Sequence, residues 1–351
     1  MSALRRGMSG TLVVALAAGL AVWLGCPSSA RAETADKLLP PESVMVFHVN
    51  LKNVQDSKLF KKYVAGQLQN ALRNDENLRK FQEETGINVL KDIHSVSLAF
   101  TKLPKEINPN NPVDVNPKDF ELLVILRGQF SRDSVVRAMK KNEDLTTQKY
   151  RDHTIFSRAA TDDEQQSIHI CVADDGLIIF SNELSRLKKS LDSISADSKP
   201  SGISPELKAV IEAIPQRQSF WFAMNKFQLL KDLAQNDPNA ADLIDKFVGA
   251  SLSIAVTDKV TVGLRAHATD ADAAREFRAG FEKLRAILVL AAASDKNLGQ
   301  LLQDVVGKLK TDQKGSIASI ELELNEAALK TIFEQLQRMM GGAAPFPNKI
   351  D

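Results

Sequence analysis

Hydrophobic and polar positions along this 351-residue chain fall into two rhythms. HSVSLAF switches class at every residue: His94, Val96, Leu98 and Phe100 on one side, Ser95, Ser97 and Ala99 on the other. That period of two predicts a half-covered strand of antiparallel sheet. SIASIELEL (Ser316–Leu324) alternates in the same way. SVMVFHVNL (Ser43–Leu51), FELLVILRG (Phe120–Gly128), HTIFSRA, SIHICVA, LIIFSN, SFWFAMN, SLSIAV and VTVGLRAHA complete the predicted strands. Asp175-Gly176 between two of them is a hairpin signal.

Helical spacing predicts one long helix from Ser57 to about Glu84, stopped by Gly86, and further helices over Ser131–Lys141, Glu183–Ile194 and Glu206–Ala213. Lys226–Phe247 is mainly helical in pattern. A helix begins near Asp270, carries Phe277, Phe281, Leu284 and Leu288 on one stripe, and is followed by a last one over Glu326–Met339. Its run AILVLAAA (Ala286–Ala293) is expected to pack on a sheet, being far shorter than the roughly 20 residues of a membrane span. Lys105–Asp119, rich in Pro and Asn, reads as an exposed loop.

The order of elements comes twice, on either side of KPSGISP (Lys199–Pro205). LRGQFSRDSVVRAM (Leu126–Met139) returns as LRAHATDADAAREF (Leu264–Phe277), with Ser131 and Thr269 placed as helix caps and Asn182 and Asn325 as caps of the later helices. The expectation is an α+β protein of two ferredoxin-like, split βαβ repeats, with antiparallel sheets and helices packed on one face. The predicted divisions are a signal peptide over 1–32, repeats over 33–198 and 199–340, and a tail over 341–351. In this register Arg127 and Arg265 leave the core-facing stripe as solvated strand-end residues. Val124 and Leu126 face the core, leaving Leu123 and Ile125 on an apolar outer face where the second copy has Thr261 and Gly263. That face is the candidate interaction or ligand surface, to be covered by the partner repeat, a second subunit or an apolar ligand.

Composition narrows the function. Arg5 and Arg6, the apolar run Thr11–Gly25 and Ala30-Arg31-Ala32 match the three parts of a secretory signal, with cleavage expected after Ala32. A lipid anchor on Cys26 would want a small residue where Leu24 stands. Loss of Arg5, Arg6 and Arg31 from 45 basic residues leaves 42 against 44 acidic ones, a net of −2. No basic excess points to nucleic acid, and 6% aromatics offer few stacking platforms. One cysteine, Cys171, would remain in the exported chain, so no internal disulfide framework is expected.

Candidate chemistry is sparse. The histidines His48, His94, His153, His169 and His267 show no paired metal spacing. His169 and Cys171 share a strand face, where His48 or His94 could join them; a semi-buried histidine beside a core thiol is the blander reading of the same pair. The chain holds no nucleophile elbow and no phosphate-binding glycine loop. Asp162-Asp163 and Asp174-Asp175 read as turn residues. The expectation is therefore no catalytic residue, no cofactor and no metal.

TGINVLKDIHSVSLAF (Thr85–Phe100) and the lead LLPPESVMVFHVNL (Leu38–Leu51) resemble stretches of predicted secreted bacterial proteins with domains of unknown function. The resemblance implies export, a duplicated α+β build and no established enzyme activity. The expected role is an exported, non-enzymatic envelope protein acting through interaction surfaces, with an unknown envelope protein as partner. The alternative is a periplasmic carrier of an apolar or lipid-like ligand, held between the Leu123/Ile125 face and the long second-half helix.

Overall fold

A computed structural model of the chain describes residues 37–102, 120–160, 166–194, 202–215, 217–225, 242, 244–294 and 305–339. The expectations for 1–32, for Lys105–Asp119, for Asp162-Asp163, for most of Lys226–Phe247 and for 341–351 lie outside them.

The strands are β1 (Met45–Asn50), β2 (Ile93–Lys102), β3 (Glu121–Gly128), β4 (Thr146–Tyr150), β5 (His153–Arg158), β6 (Ile168–Asp174), β7 (Leu177–Ser181), β8 (Phe220–Asn225), β9 (Phe247–Val256), β10 (Lys259–Ala268), β11 (Leu309–Lys314) and β12 (Ile317–Asn325). All twelve join one sheet in the order β11-β12-β10-β9-β8-β1-β2-β3-β7-β6-β5-β4. Every neighbouring pair is antiparallel. The two halves of the chain meet at β1 and β8, with Phe47 opposite Phe222 and their rings 4.6 Å apart.

The split βαβ order is not the one found. That unit sets a third strand between its first two, whereas β1 lies directly against β2, and β8 against β9. The helices follow the corrected topology: α1 (Leu51–Asp56), α2 (Lys58–Tyr63), α3 (Ala65–Asn74), α4 (Glu76–Thr85), α5 (Val89–Asp92), α6 (Arg132–Lys140), α7 (Leu184–Asp192), α8 (Pro205–Glu212), α9 (Ala271–Ser294) and α10 (Glu326–Met339). The long helix expected over Ser57–Glu84 is three pieces, α2 to α4, broken at Val64 and Asp75. Gly86 ends the last piece in a left-handed conformation, φ 76°.

Helices cover both faces of the sheet, not one. On the first face, α1, α2, α5 and α6 bury Val54, Phe60, Val89 and Val135 against Val49, Leu98, Val124 and Phe180. α9 lies on this face too, where Phe277 packs edge-on against Phe247 at 6.1 Å and Ala273 and Ala274 are buried beside Ala268. On the opposite face, α7 brings Leu187 and Leu191, and α8 brings Leu207, Val210 and Ile211, onto Val46, Leu123, Ile125, Ile179 and Trp221. The lead residues Leu38 and Leu39 complete that core, held by a bond from Ser190 Oγ to the Leu38 carbonyl at 2.9 Å. Strand β2 is thus covered twice over. Its serines Ser95 and Ser97 are as buried as Val96, so the alternation separates two packed faces, not core from water.

The caps hold with two adjustments. Ser131 and Asn325 accept from backbone N–H groups three residues on. Asp270, not Thr269, caps α9, accepting from Asp272 and Ala273. Asn182 binds the start of β3 instead, accepting from Leu122 N–H and donating to the Phe120 carbonyl. Two strands had no signal in the pattern. TTQKY (β4) and LKTDQK (β11) are the outermost strands, where polar side chains discourage further pairing.

Candidate functional site

His169 and Cys171 stand on one face of β6, as alternation requires, but in different surroundings. Cys171 is fully buried between Ile155 and Ile179, and burial pushes its thiol up to about 11. A thiol so protonated is neither a nucleophile nor a ready metal ligand at neutral pH. His169 bonds Ser157 Oγ through Nδ1 at 2.8 Å, and burial lowers its pKa. His48 is four strands away on β1, so it does not join the pair. Among the described residues no group of three metal-binding side chains occurs.

Leu123 and Ile125 are 0% and 1% exposed, and the chain's own α7 and α8 occupy the space above them. An apolar ligand at this face would have to displace Leu187, Leu191 or Leu207. A groove lies elsewhere, between the residues leading into β11 and α10, lined by Val305, Lys308, Asn325, Ala328 and Thr331.

The two arginines are not the solvated strand ends of the sequence expectation. Both lie on the face shared by Leu123, Ile125 and Trp221, half-buried, and desolvation lowers the pKa of each. They are also displaced in register. Arg127 sits in the cross-strand row Asn50–Ser95–Arg127–Leu177, whereas the row begun by Asn225 runs through Gly249 to His267. Arg265 falls one row nearer the centre, beside Ser251, and donates to Ser253 Oγ at 3.1 Å.

A polar seam follows from this arrangement. His48 bonds Ser97 Oγ through Nδ1 at 2.8 Å and stacks on Trp221, ring centroids 5.1 Å apart. Burial, with the Arg127 charge added, holds His48 down to about 4. His267 is likewise held to about 4 by burial and then by Arg265. Ser251 Oγ and His267 Nε2 are buried with no partner among the described residues. Gly249 lets α8 approach here: a Cβ would lie 2.7 Å from Val210 Cγ2 and 2.5 Å from the Met224 carbonyl. The seam is well enough buried to be structural and holds its histidines neutral.

The surface feature is on α9. Leu284, Ile287, Val289 and Leu290 are 50%, 61%, 43% and 71% exposed. The sequence expectation put AILVLAAA against the sheet. In the fold, α9 is anchored by its N-terminal half, through Ala273, Ala274 and Phe277, and the later turns are left uncovered at these positions. The signal was present in the sequence. A helix packed on one side needs polar residues on the other, and this run has none.

A family model described as a protein of unknown function (DUF3352) matches residues 7–332. The chain belongs to DUF3352. No curated protein matches it in sequence. Solved structures of TP0453 are similar to this DUF3352 chain at 8% identity: crystal form IV at a TM-score of 0.44 over 86% of this chain and 99% of that one. Crystal form III scores 0.42 over 85% and 96%, at 8% identity. Likeness at this level supports no statement about function.

Proposed function

We propose that this DUF3352 chain is an exported, non-enzymatic protein of the cell envelope that acts through a surface, and that the uncovered end of α9 is the contacting part. The observation that carries the reading is the exposure of four large apolar side chains in two turns of one helix. Contiguous exposed apolar surface marks interaction sites in folded proteins. Scattered single leucines would not.

The scaffold is read as two repeats of one α+β plan, over 33–198 and 199–340, merged in one sheet. In support, β8-β9-β10-β12-β11 copies the order β1-β2-β3-β7-β6, and β4 with β5 is an addition to the first half. Phe47 and Phe222, each three residues before an asparagine that closes its strand, sit opposite one another. A two-fold relation between the halves would pass through that pair. The carrier reading loses its proposed face, because Leu123 and Ile125 are already enclosed by α7 and α8.

A photo-reactive residue at Ile287, introduced into the chain in its own host, tests the reading. An adduct at Ile287 and none at Lys149 on β4 is expected. Failure to form any adduct at Ile287 removes the surface reading. Turnover of a substrate that Cys171→Ser or His169→Ala abolishes in a folded chain removes the non-enzymatic half. Recovery of the chain in a cytoplasmic fraction removes export.

A further inference from the structure

We propose that the end of α9 inserts into an anionic lipid surface; this rests on the surface reading above and names the partner. Leu284, Ile287, Val289 and Leu290 are all exposed, and at roughly 100° per residue they spread over more than half of the helix circumference. Ala286 between them is exposed as well. A helix received by a groove on a folded partner presents one stripe of anchors and keeps a polar back. This segment has no polar back: no charged or polar side chain occurs from Ala286 to Ala293. An environment that is apolar on all sides suits it, and a lipid layer is one.

The length agrees. Eight residues at about 1.5 Å each make a segment of roughly 12 Å, far below the ~30 Å of a bilayer core, which leaves shallow interfacial insertion. No helix among the described residues is long and apolar enough to cross a membrane.

Charge selects the kind of lipid. On the turns just before the apolar segment, Arg278 and Lys283 are exposed and Arg285 is half-buried. The acids there are already engaged: Glu276 with Lys246 at 2.8 Å, and Glu282 with Arg285 at 3.6 Å and with Thr311. What remains on the turns before the apolar end is a pair of exposed cations, Arg278 and Lys283, placed to meet headgroups where that end enters a lipid surface. Basic residues beside an inserted apolar segment attract anionic headgroups.

The test uses the full chain carrying Cys26→Ser and Leu290→Cys, with an environment-sensitive fluorophore on residue 290; Cys171 is buried and stays unlabelled. A second chain carries the fluorophore at Lys149→Cys on β4. Vesicles are phosphatidylglycerol with phosphatidylcholine in equal parts, or phosphatidylcholine alone. With the anionic vesicles the 290 probe is expected to shift to the blue and to lose several-fold of its quenching by aqueous iodide, while the 149 probe does neither. R278E/K283E should weaken that response on the order of tenfold. A 290 probe that stays in water with both vesicles overturns the proposal. So does an equal response to phosphatidylcholine alone, or protection before any vesicle is added, which would mean a second copy covers the tip. A protein adduct at Ile287 with a silent 290 probe would leave the surface reading standing and remove the lipid.

Discussion

The two halves of the sheet share a strand order and spend it differently. In the first, β3 and β7 are buried on both faces: Leu123, Ile125 and Ile179 under α7 and α8, Val124 and Phe180 under the helices of the first face. In the second, β9 and β10 carry Ser251, Ser253, Gly263, Arg265 and His267 on one face. The long helix on the other leaves Leu284, Ile287, Val289 and Leu290 in water. A sheet enclosed on both faces is a core and little else. The half with incomplete cover is where a surface for another molecule can stand. Among the described residues the first half supplies most of the buried apolar side chains, and α10 ties the second half to it through Glu326, which meets Lys62 and Tyr63 of α2.

Truncation should break this contrast most sharply. Ile125→Ala is expected to cost about 2–4 kcal/mol, as for other fully buried aliphatic side chains, whereas Leu264→Ala, 38% exposed on β10, should cost under about 1 kcal/mol. Urea unfolding measures both, and equal losses would deny the asymmetry. Gly249→Val comes next. Its side chain would have to enter the space of Val210 and the Met224 carbonyl, so a loss of about 1–3 kcal/mol from overpacking is expected.

Acid should act through the seam. His48 and His267 are held to about 4 in the fold against 6.5 for the free side chain. Between those values the unfolded chain binds protons that the folded chain does not, so stability is full above about pH 6.5 and is lost as pH falls toward 4. The loss is up to ~3 kcal/mol per histidine. In H48Q/H267Q the slope of stability between pH 6.5 and 4 should flatten; an unchanged slope would place the acid sensitivity elsewhere. Cys171 should resist alkylation at pH 8 in the native chain and react on unfolding, because the buried thiol is protonated. The smallest stability effect belongs to α9: Ile287→Asp should change unfolding by no more than about 0.5 kcal/mol, since this side chain is 61% exposed and buries little.

Much of the local structure is carried by residues close in sequence. Gly86 stops a helix because its backbone adopts a positive φ, Ser131 and Asn325 cap because their side chains reach an N–H three residues on, and Asp175-Gly176 turns a hairpin. Alternation put Val96, Leu98 and Phe100 of β2 on one face, and His169 with Cys171 on one face of β6, as the structure has them. Each of these rests on interactions spanning a few residues, which a linear pattern records. The rest depended on what packs from afar. Alternation says which side chains share a face and is silent on what covers it. So the serines of β2 gave no sign of being enclosed, and the apolar pair Leu123 and Ile125 called for a cover without showing that α7 and α8 supply it. Strand order was likewise undetermined: a strand–helix–strand sequence serves a split unit and a direct antiparallel neighbour equally, and the choice made here is set by long-range pairing. The arginines followed suit, half-buried rather than solvated, with Ser95 and Ser253 of the neighbouring strands beside them. The end of α9 is the converse case. Its apolar run was plain in the sequence, and only the tertiary structure, which anchors α9 through Ala273, Ala274 and Phe277, decided that those side chains stay uncovered.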